Sequence, residues 1–321
     1  MSNFSAGAAP GEQDADVTVA GVKIACRFSL PDGDAVGAVL IVPGSLFSDV
    51  DGNYPSMNMR PHAYADLARQ LRARGFAVLR MAKIGPGTGS QTINAMLAAS
   101  HVDFHTRVAV AAAGLALLRG RVGARPVIVA GHSEGAVVAS LLASGADAKA
   151  IDGVVSLSGP ATPIFDVMRA QIAAMAPAGV APDLTVFDRT VAAIRAGGAP
   201  PAEAARDPAT AMLATMPAMG HAYLRSVDRV DPVAALAKVR QPVLIVQGGR
   251  DASVPAEHAD LLRAGRGGLP TEVALFPTLN HFYKNTPPNL PPMQSMMLET
   301  ESAPAVAAAI AQWTTVPRRA D

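Results

Sequence analysis

One cysteine in 321 residues leaves no internal disulfide, so nothing covalent beyond the backbone braces this chain. That residue, Cys26, stands in an apolar stretch and reads as a small buried side chain rather than a reactive thiol. Aromatic residues are scarce at 4%, with a single tryptophan, so aliphatic side chains must fill the interior. A surplus of one charge is also missing. The 27 Lys and Arg face 26 Asp and Glu, and no long basic run is present to draw in phosphates, so nucleic acid is not an expected partner. The longest unbroken apolar run, 108–118, lies between Arg107 and Arg119 and falls short of the roughly 18 residues that a membrane span needs. Residues 1–16 lack the basic start and apolar core of a signal peptide; they are polar with Gly and Pro and read as a loose arm. These absences lead to the expectation of a cytoplasmic protein with no membrane attachment.

What is present is core-forming material, since half of the residues are hydrophobic and the length suits one large α/β domain. After a small hairpin over 17–20 and 22–30, apolar runs of strand length recur at 38–42, 76–81, 127–130, 154–157, 243–247 and 273–276. Stretches of helical composition, such as 62–74 and 103–119, separate most of them. Continuous Val, Ile and Leu runs suit strands covered on both faces, which predicts an α/β fold with a mostly parallel sheet and helices on each side. The rhythm breaks over 162–238, where Ala-rich helical pieces appear without a strand. This interval reads as an inserted helical cap, which leaves 17–161 and 239–321 as the core. Its methionines, Met168, Met175, Met212, Met216 and Met219, are expected mostly to fill the core, with an adaptable pocket as the second use.

The run Val127-Ile128-Val129-Ala130 leads directly into Gly131-His132-Ser133-Glu134-Gly135 and then into a small-residue helix. A serine on so sharp a strand-to-helix turn is a nucleophile elbow: it must adopt a strained backbone, and glycines two positions either side avoid collisions. At the helix N-terminus Ser133 gains a favourable dipole, and the N–H of Glu134 is available for a developing oxyanion. Partners of Ser133 are expected later in the chain, an acid and then a histidine, each on the loop after a strand. Asp251 follows the strand run 243–247 through Gly248-Gly249-Arg250, and His281 follows 273–276 through Pro277-Thr278-Leu279-Asn280. Of the seven histidines, only His281 lies beyond the acid and outside the helix after it. A second oxyanion donor belongs on the loop Pro43-Gly44-Ser45 after 38–42, where the N–H of Ser45 is the first choice and Gly44 the alternative.

Taken in order, these pieces resemble the α/β-hydrolase serine carboxylesterases of the dienelactone-hydrolase and prolyl-oligopeptidase-like branch. Besides the elbow, Asp251 and Asn280-His281-Phe282, the resemblance rests on Val42-Pro43-Gly44-Ser45 with Asp49-Val50-Asp51-Gly52-Asn53, and on Gly75-Phe76-Ala77-Val78-Leu79-Arg80. It implies a central sheet of about eight strands, no metal or organic cofactor, and hydrolysis of a small-molecule carboxylic ester through an acyl-enzyme. Oligomeric state is left open. The chain departs from these relatives at Ala82-Lys83-Ile84-Gly85, where they carry a basic turn of the Asp-Lys-Arg-Gly type.

Three competing motifs are weaker. The stretch 85–90 lacks the third glycine of a dinucleotide fingerprint, because Ser90 stands there. In 49–53 the glycine is misplaced for a calcium loop, and Tyr54 occupies the position that needs one. His101 and His105 have a spacing that would put both on one face of a continuous helix, but Val102 replaces the glutamate of the zinc-protease motif.

Overall fold

The structure, a computed structural model, describes residues 8–175 and 182–315. Nine strands within these residues form one sheet: β1 (Glu12–Val19), β2 (Val22–Ser29), β3 (Gly37–Val42), β4 (Phe76–Met81), β5 (Gln91–Thr92), β6 (Val127–His132), β7 (Gly153–Leu157), β8 (Val243–Gly248) and β9 (Thr271–Phe276). Their order is β1-β2-β4-β3-β6-β7-β8-β9, with the two-residue β5 paired to β2. Every pairing from β4 across to β9 is parallel, and those made by β2 are antiparallel. All six apolar runs singled out above lie in strands of this sheet.

The alternation of side chains along these strands splits the core in two. Leu40, Leu79, Val129 and Ile245 face the helices Phe104–Val122 and Glu134–Ala143, while Val39, Ile41, Ile128 and Val246 face Ala63–Arg72 and Pro304–Thr315. Burial on both faces explains why the strand sequences are continuously apolar rather than alternating. Cys26 lies inside the first of these cores, and burial pushes its thiol up to about 12, as expected of an inert side chain.

The chain start differs from the loose arm read over 1–16. Glu12–Asp16 form the first half of β1, in register with β2. A run as polar as Glu-Gln-Asp-Ala-Asp forms a strand because its acids meet cations set in the sheet. Glu12 pairs with Arg80 at 2.8 Å, and Asp14 pairs with Arg27 at 2.6 Å. Local apolar periodicity carries no trace of such pairing. Residues 1–7 lie outside the described part.

Between β7 and β8 the described residues form helices and loops with no strand. Phe165, Phe187, Val191, Ile194, Leu213 and Leu224 make a small apolar cluster of their own there. Met168 and Met216 pack against that cluster, whereas Met175, Met212 and Met219 are each more than half exposed. The methionines therefore divide between core filling and the surface. No helix among the described residues is long and apolar enough to cross a membrane.

Candidate active site

The turn after β6 places Ser133 at φ 54°, ψ −125°, a conformation that few non-glycine residues adopt. Neighbouring hydrogen bonds hold it there. The Ser133 N–H donates to Leu157 O at 2.8 Å, and Ser133 O accepts from the Ala136 N–H at 2.9 Å. Space enforces the flanking glycines: a methyl on Gly131 would strike the Gly135 backbone, and one on Gly135 would strike the carbonyls of Val42 and Pro43. The elbow is thus wedged between the end of β3 and the first turn of the Glu134–Ala143 helix.

Asp251 and His281 come together on the loops after β8 and β9. Nδ1 of His281 lies 2.8 Å from Asp251 Oδ2, and both residues are buried. Burial raises the Asp251 carboxyl, but the imidazole and the Val254 N–H outweigh it, and the group is held below the usual carboxylate range. Its other oxygen accepts the N–H groups of Ser253 and Val254 at 2.9 Å. An ionised carboxylate can only accept, so Nδ1 must carry the proton and Nε2 of His281 is the basic nitrogen. The His281 loop is pinned by Asn280, whose Oδ1 accepts the N–H of Phe282 and of Lys284 and whose Nδ2 donates to Ser295 O at 2.7 Å. His281 meets the elbow through His132, the neighbour of Ser133, with ring centroids 4.6 Å apart.

Ser45 also lies at this edge, its Oγ 3.3 Å from Glu134 Oε2. The N–H of Gly44, the alternative donor, is taken by the Tyr64 hydroxyl at 2.9 Å.

Sequence reasoning missed the surroundings of the Glu134 side chain. This carboxylate is buried directly after Ser133 and hydrogen-bonds to Arg107, with Lys83 Nζ at 3.4 Å and the Tyr223 hydroxyl donating at 2.8 Å. Burial alone would raise the Glu134 carboxyl, but Lys83, Arg107 and Tyr223 win and bring it down to about 2. Burial, aided by Arg107, lowers Lys83 to about 8. Lys83 also lies over the Tyr223 ring, 5.5 Å from its centroid. The only hint in the sequence was the departure at Ala82-Lys83 from the turn found in relatives. Nothing local marked Arg107 or Tyr223, which sit on helices distant in the chain.

A mostly parallel sheet flanked by helices, with a strained serine on the turn after a central strand, defines an α/β-hydrolase. Within that class, the family described as serine aminopeptidase, S33, matches residues 57–285, and the chain belongs to it. A curated relative, esterase EstD of Thermotoga maritima, is 24% identical over 84% of this chain, which spans 60% of that relative's length. Among solved structures, Est1E from Butyrivibrio proteoclasticus superposes with a TM-score of 0.57 at 16% identity, covering 94% of this chain and 97% of that one. An esterase of Pyrococcus furiosus gives 0.56 at 16% identity, with 84% and 83% covered. At these identities the structural likenesses establish the fold.

Proposed function

We propose that this protein is a serine hydrolase that cleaves small-molecule carboxylic esters through an acyl-enzyme, with Ser133 as nucleophile, His281 as general base and Asp251 as its orienting acid. The observation that carries this reading is the buried 2.8 Å contact between Asp251 and Nδ1 of His281, whose ring packs against the elbow residue His132; it makes Nε2 the nitrogen that can take a proton. Nε2 takes the Ser133 proton as Oγ attacks the ester carbonyl, and Asp251 stabilises the imidazolium so formed. The backbone N–H groups of Glu134 and Ser45 hold the oxyanion. Glu134 opens its helix and so has no intrahelical acceptor, while the neighbouring Gly44 N–H is already engaged by Tyr64. His281 then passes the proton to the leaving alcohol, and water repeats the cycle to free the acid. The helices over 162–238 act as the cap, with Tyr223 reaching down to Glu134 beside the nucleophile.

Charge supports an ester over the free N-terminus of a peptide, although the family description names an aminopeptidase. Binding a substrate ammonium calls for a free carboxylate near the nucleophile. Glu134 is already held by Lys83 and Arg107, and Asp251 by His281. Turnover of p-nitrophenyl esters of increasing acyl length, an aryl thioester and an aminoacyl p-nitroanilide tests this. The ester series is expected to be the fastest; an anilide cleaved faster than every ester would assign the site to peptides.

A further inference from the structure

The Asp49-Val50-Asp51-Gly52-Asn53 segment, set aside above as a calcium-like turn, has a different use. Asp49 folds the loop on itself, its Oδ1 accepting the N–H of Asp51 at 2.9 Å and of Asn53 at 2.8 Å, while its Oδ2 accepts from Asn53 Nδ2 at 3.1 Å. Asn53 Oδ1 in turn accepts the N–H of His62, the residue that precedes the Ala63–Arg72 helix. Gly52 has φ +82°, and a methyl there would come within 2.9 Å of the Tyr64 ring and backbone nitrogen. The Tyr64 N–H donates to Asp51 O at 3.2 Å. The Gly52 and Asp51 contacts bear directly on Tyr64, a residue 2% exposed, and the others hold the loop that makes them.

The hydroxyl of Tyr64 faces three partners, one of them the buried Tyr54 hydroxyl, which donates to its oxygen. The Tyr64 oxygen also accepts the Gly44 N–H at 2.9 Å and lies 3.0 Å from Nδ1 of His132. The other nitrogen of that ring, Nε2, lies 3.0 Å from the main-chain oxygen of His281. Proton positions follow from donor and acceptor chemistry. A carbonyl only accepts, so Nε2 of His132 carries the hydrogen; Nδ1 of the neutral ring is then bare and accepts the Tyr64 proton. The order Gly44 N–H to Tyr64 O–H to His132 Nδ1, then His132 Nε2–H to His281 O, satisfies every member.

We propose that Tyr64 and His132 are positioning residues that lock the oxyanion loop at Gly44 to the general-base loop at His281 through this relay, with neutral His132 protonated on Nε2. The inference rests on the triad reading above. Its chemical sense is that Ser45 and His281, which act on opposite sides of the same carbonyl, lie on loops after β3 and β9, far apart in the sheet. The relay runs through His132, the residue before Ser133, and sets their relative position. The ring of His132 is faced by Tyr64, His281 and Tyr283, with Asp251 beyond. Burial and then His281 hold it down to about 3, so it stays neutral across the working range of an esterase.

The test combines kinetics with the protonation state of one ring, in full-length protein. Tyr64→Phe keeps the ring and removes the relay, and kcat on a p-nitrophenyl ester is expected to fall about tenfold, the effect of one buried hydrogen bond, with KM changed less than about twofold. In protein labelled with 15N-histidine, the His132 signals, assigned by their loss in His132→Gln, are expected to show a bare Nδ1 and a protonated Nε2 from pH 5 to 9. A proton on Nδ1, a cationic ring at pH 7, or wild-type kcat in folded Tyr64→Phe would each overturn the proposal. If Tyr64→Phe does not fold, the ring state of the unsubstituted protein and the kcat of His132→Gln decide instead. Ser133→Ala run alongside separates the two levels. An inactive Ser133→Ala beside an unaffected Tyr64→Phe removes the relay alone; an active Ser133→Ala removes the triad and the relay with it.

Discussion

Glu134 carries the heaviest electrostatic load of any side chain near the elbow. Its carboxylate is the buried counter-ion of both Lys83 and Arg107, so Glu134→Ala strands two cations in a dry site. Stability in urea is expected to fall by about 3–5 kcal/mol, and a loss below about 1 kcal/mol would mean that water already screens the cluster. The pH dependence has a definite sign. Glu134 is held at about 2 in the fold, so its contribution is present above the ordinary carboxylate range and is lost as pH falls toward about 2. Lys83, lowered to about 8, acts in an alkaline window: between about 8 and its ordinary 10.5 the unfolded chain binds more protons at this group, so Lys83 adds stability as pH rises there, against the buried Cys26 thiol and Tyr64 hydroxyl, both raised to about 12, which take stability away. Lys83→Met should remove this contribution, so its urea midpoint is expected to fall further between pH 8 and pH 10 than that of the unsubstituted protein. For the chemistry itself, Ser133→Ala and His281→Ala are each expected to lower ester turnover by about 10⁴-fold without unfolding the chain. Folded variants that lose only a few-fold would show that other residues carry the reaction.

Secondary-structure elements were legible in proportion to how locally they are encoded. The runs at 38–42, 127–130 and 243–247 appear as β3, β6 and β8 because full burial demands uninterrupted aliphatic sequence, visible without any knowledge of partners. The elbow was legible for a related reason, since its Gly-x-Ser-x-Gly pattern is contiguous, although only the Gly131 collision is local and Gly135 answers to Val42 and Pro43. The polar half of β1 was not, because Glu12 and Asp14 are placed by Arg80 and Arg27, across the hairpin and beyond it. A chain truncated to begin at Val17 should therefore show a lower denaturation midpoint than one beginning at Ala8, whereas a loose arm would make no difference. The 49–53 turn was visible as a pattern but not as a seat for Tyr64, since only the fold brings that ring over Gly52. Gly52→Ala should consequently lower kcat more than it raises KM.

Two apolar units meet in this protein: the two-faced sheet core and the smaller cluster of the segment between β7 and β8. They are tied by few polar contacts, among them Tyr223 to Glu134 at 2.8 Å, Gln171 Nε2 to Ser253 O at 2.8 Å and the Phe104 N–H to Ser226 Oγ at 2.9 Å. Tyr223→Phe removes the tie that ends on Glu134, next to Ser133, so limited proteolysis should cut within 182–238 faster while the thermal midpoint changes little. An unchanged cleavage rate would mean that the segment is held elsewhere. Lys83, Arg107 and Tyr223 escaped sequence reading for the same reason as β1: their partner is one buried carboxylate that no spacing rule connects to them.

Everything proposed for the reaction depends on Ser133 being an activated nucleophile. Treating the folded protein with a fluorophosphonate and mapping the adduct by mass spectrometry tests that most directly. The expected result is one stoichiometric phosphonyl group on Ser133, with labelling lost in His281→Ala. A folded protein that turns over esters yet carries no adduct on Ser133, or carries it on another residue, would contradict the proposed mechanism.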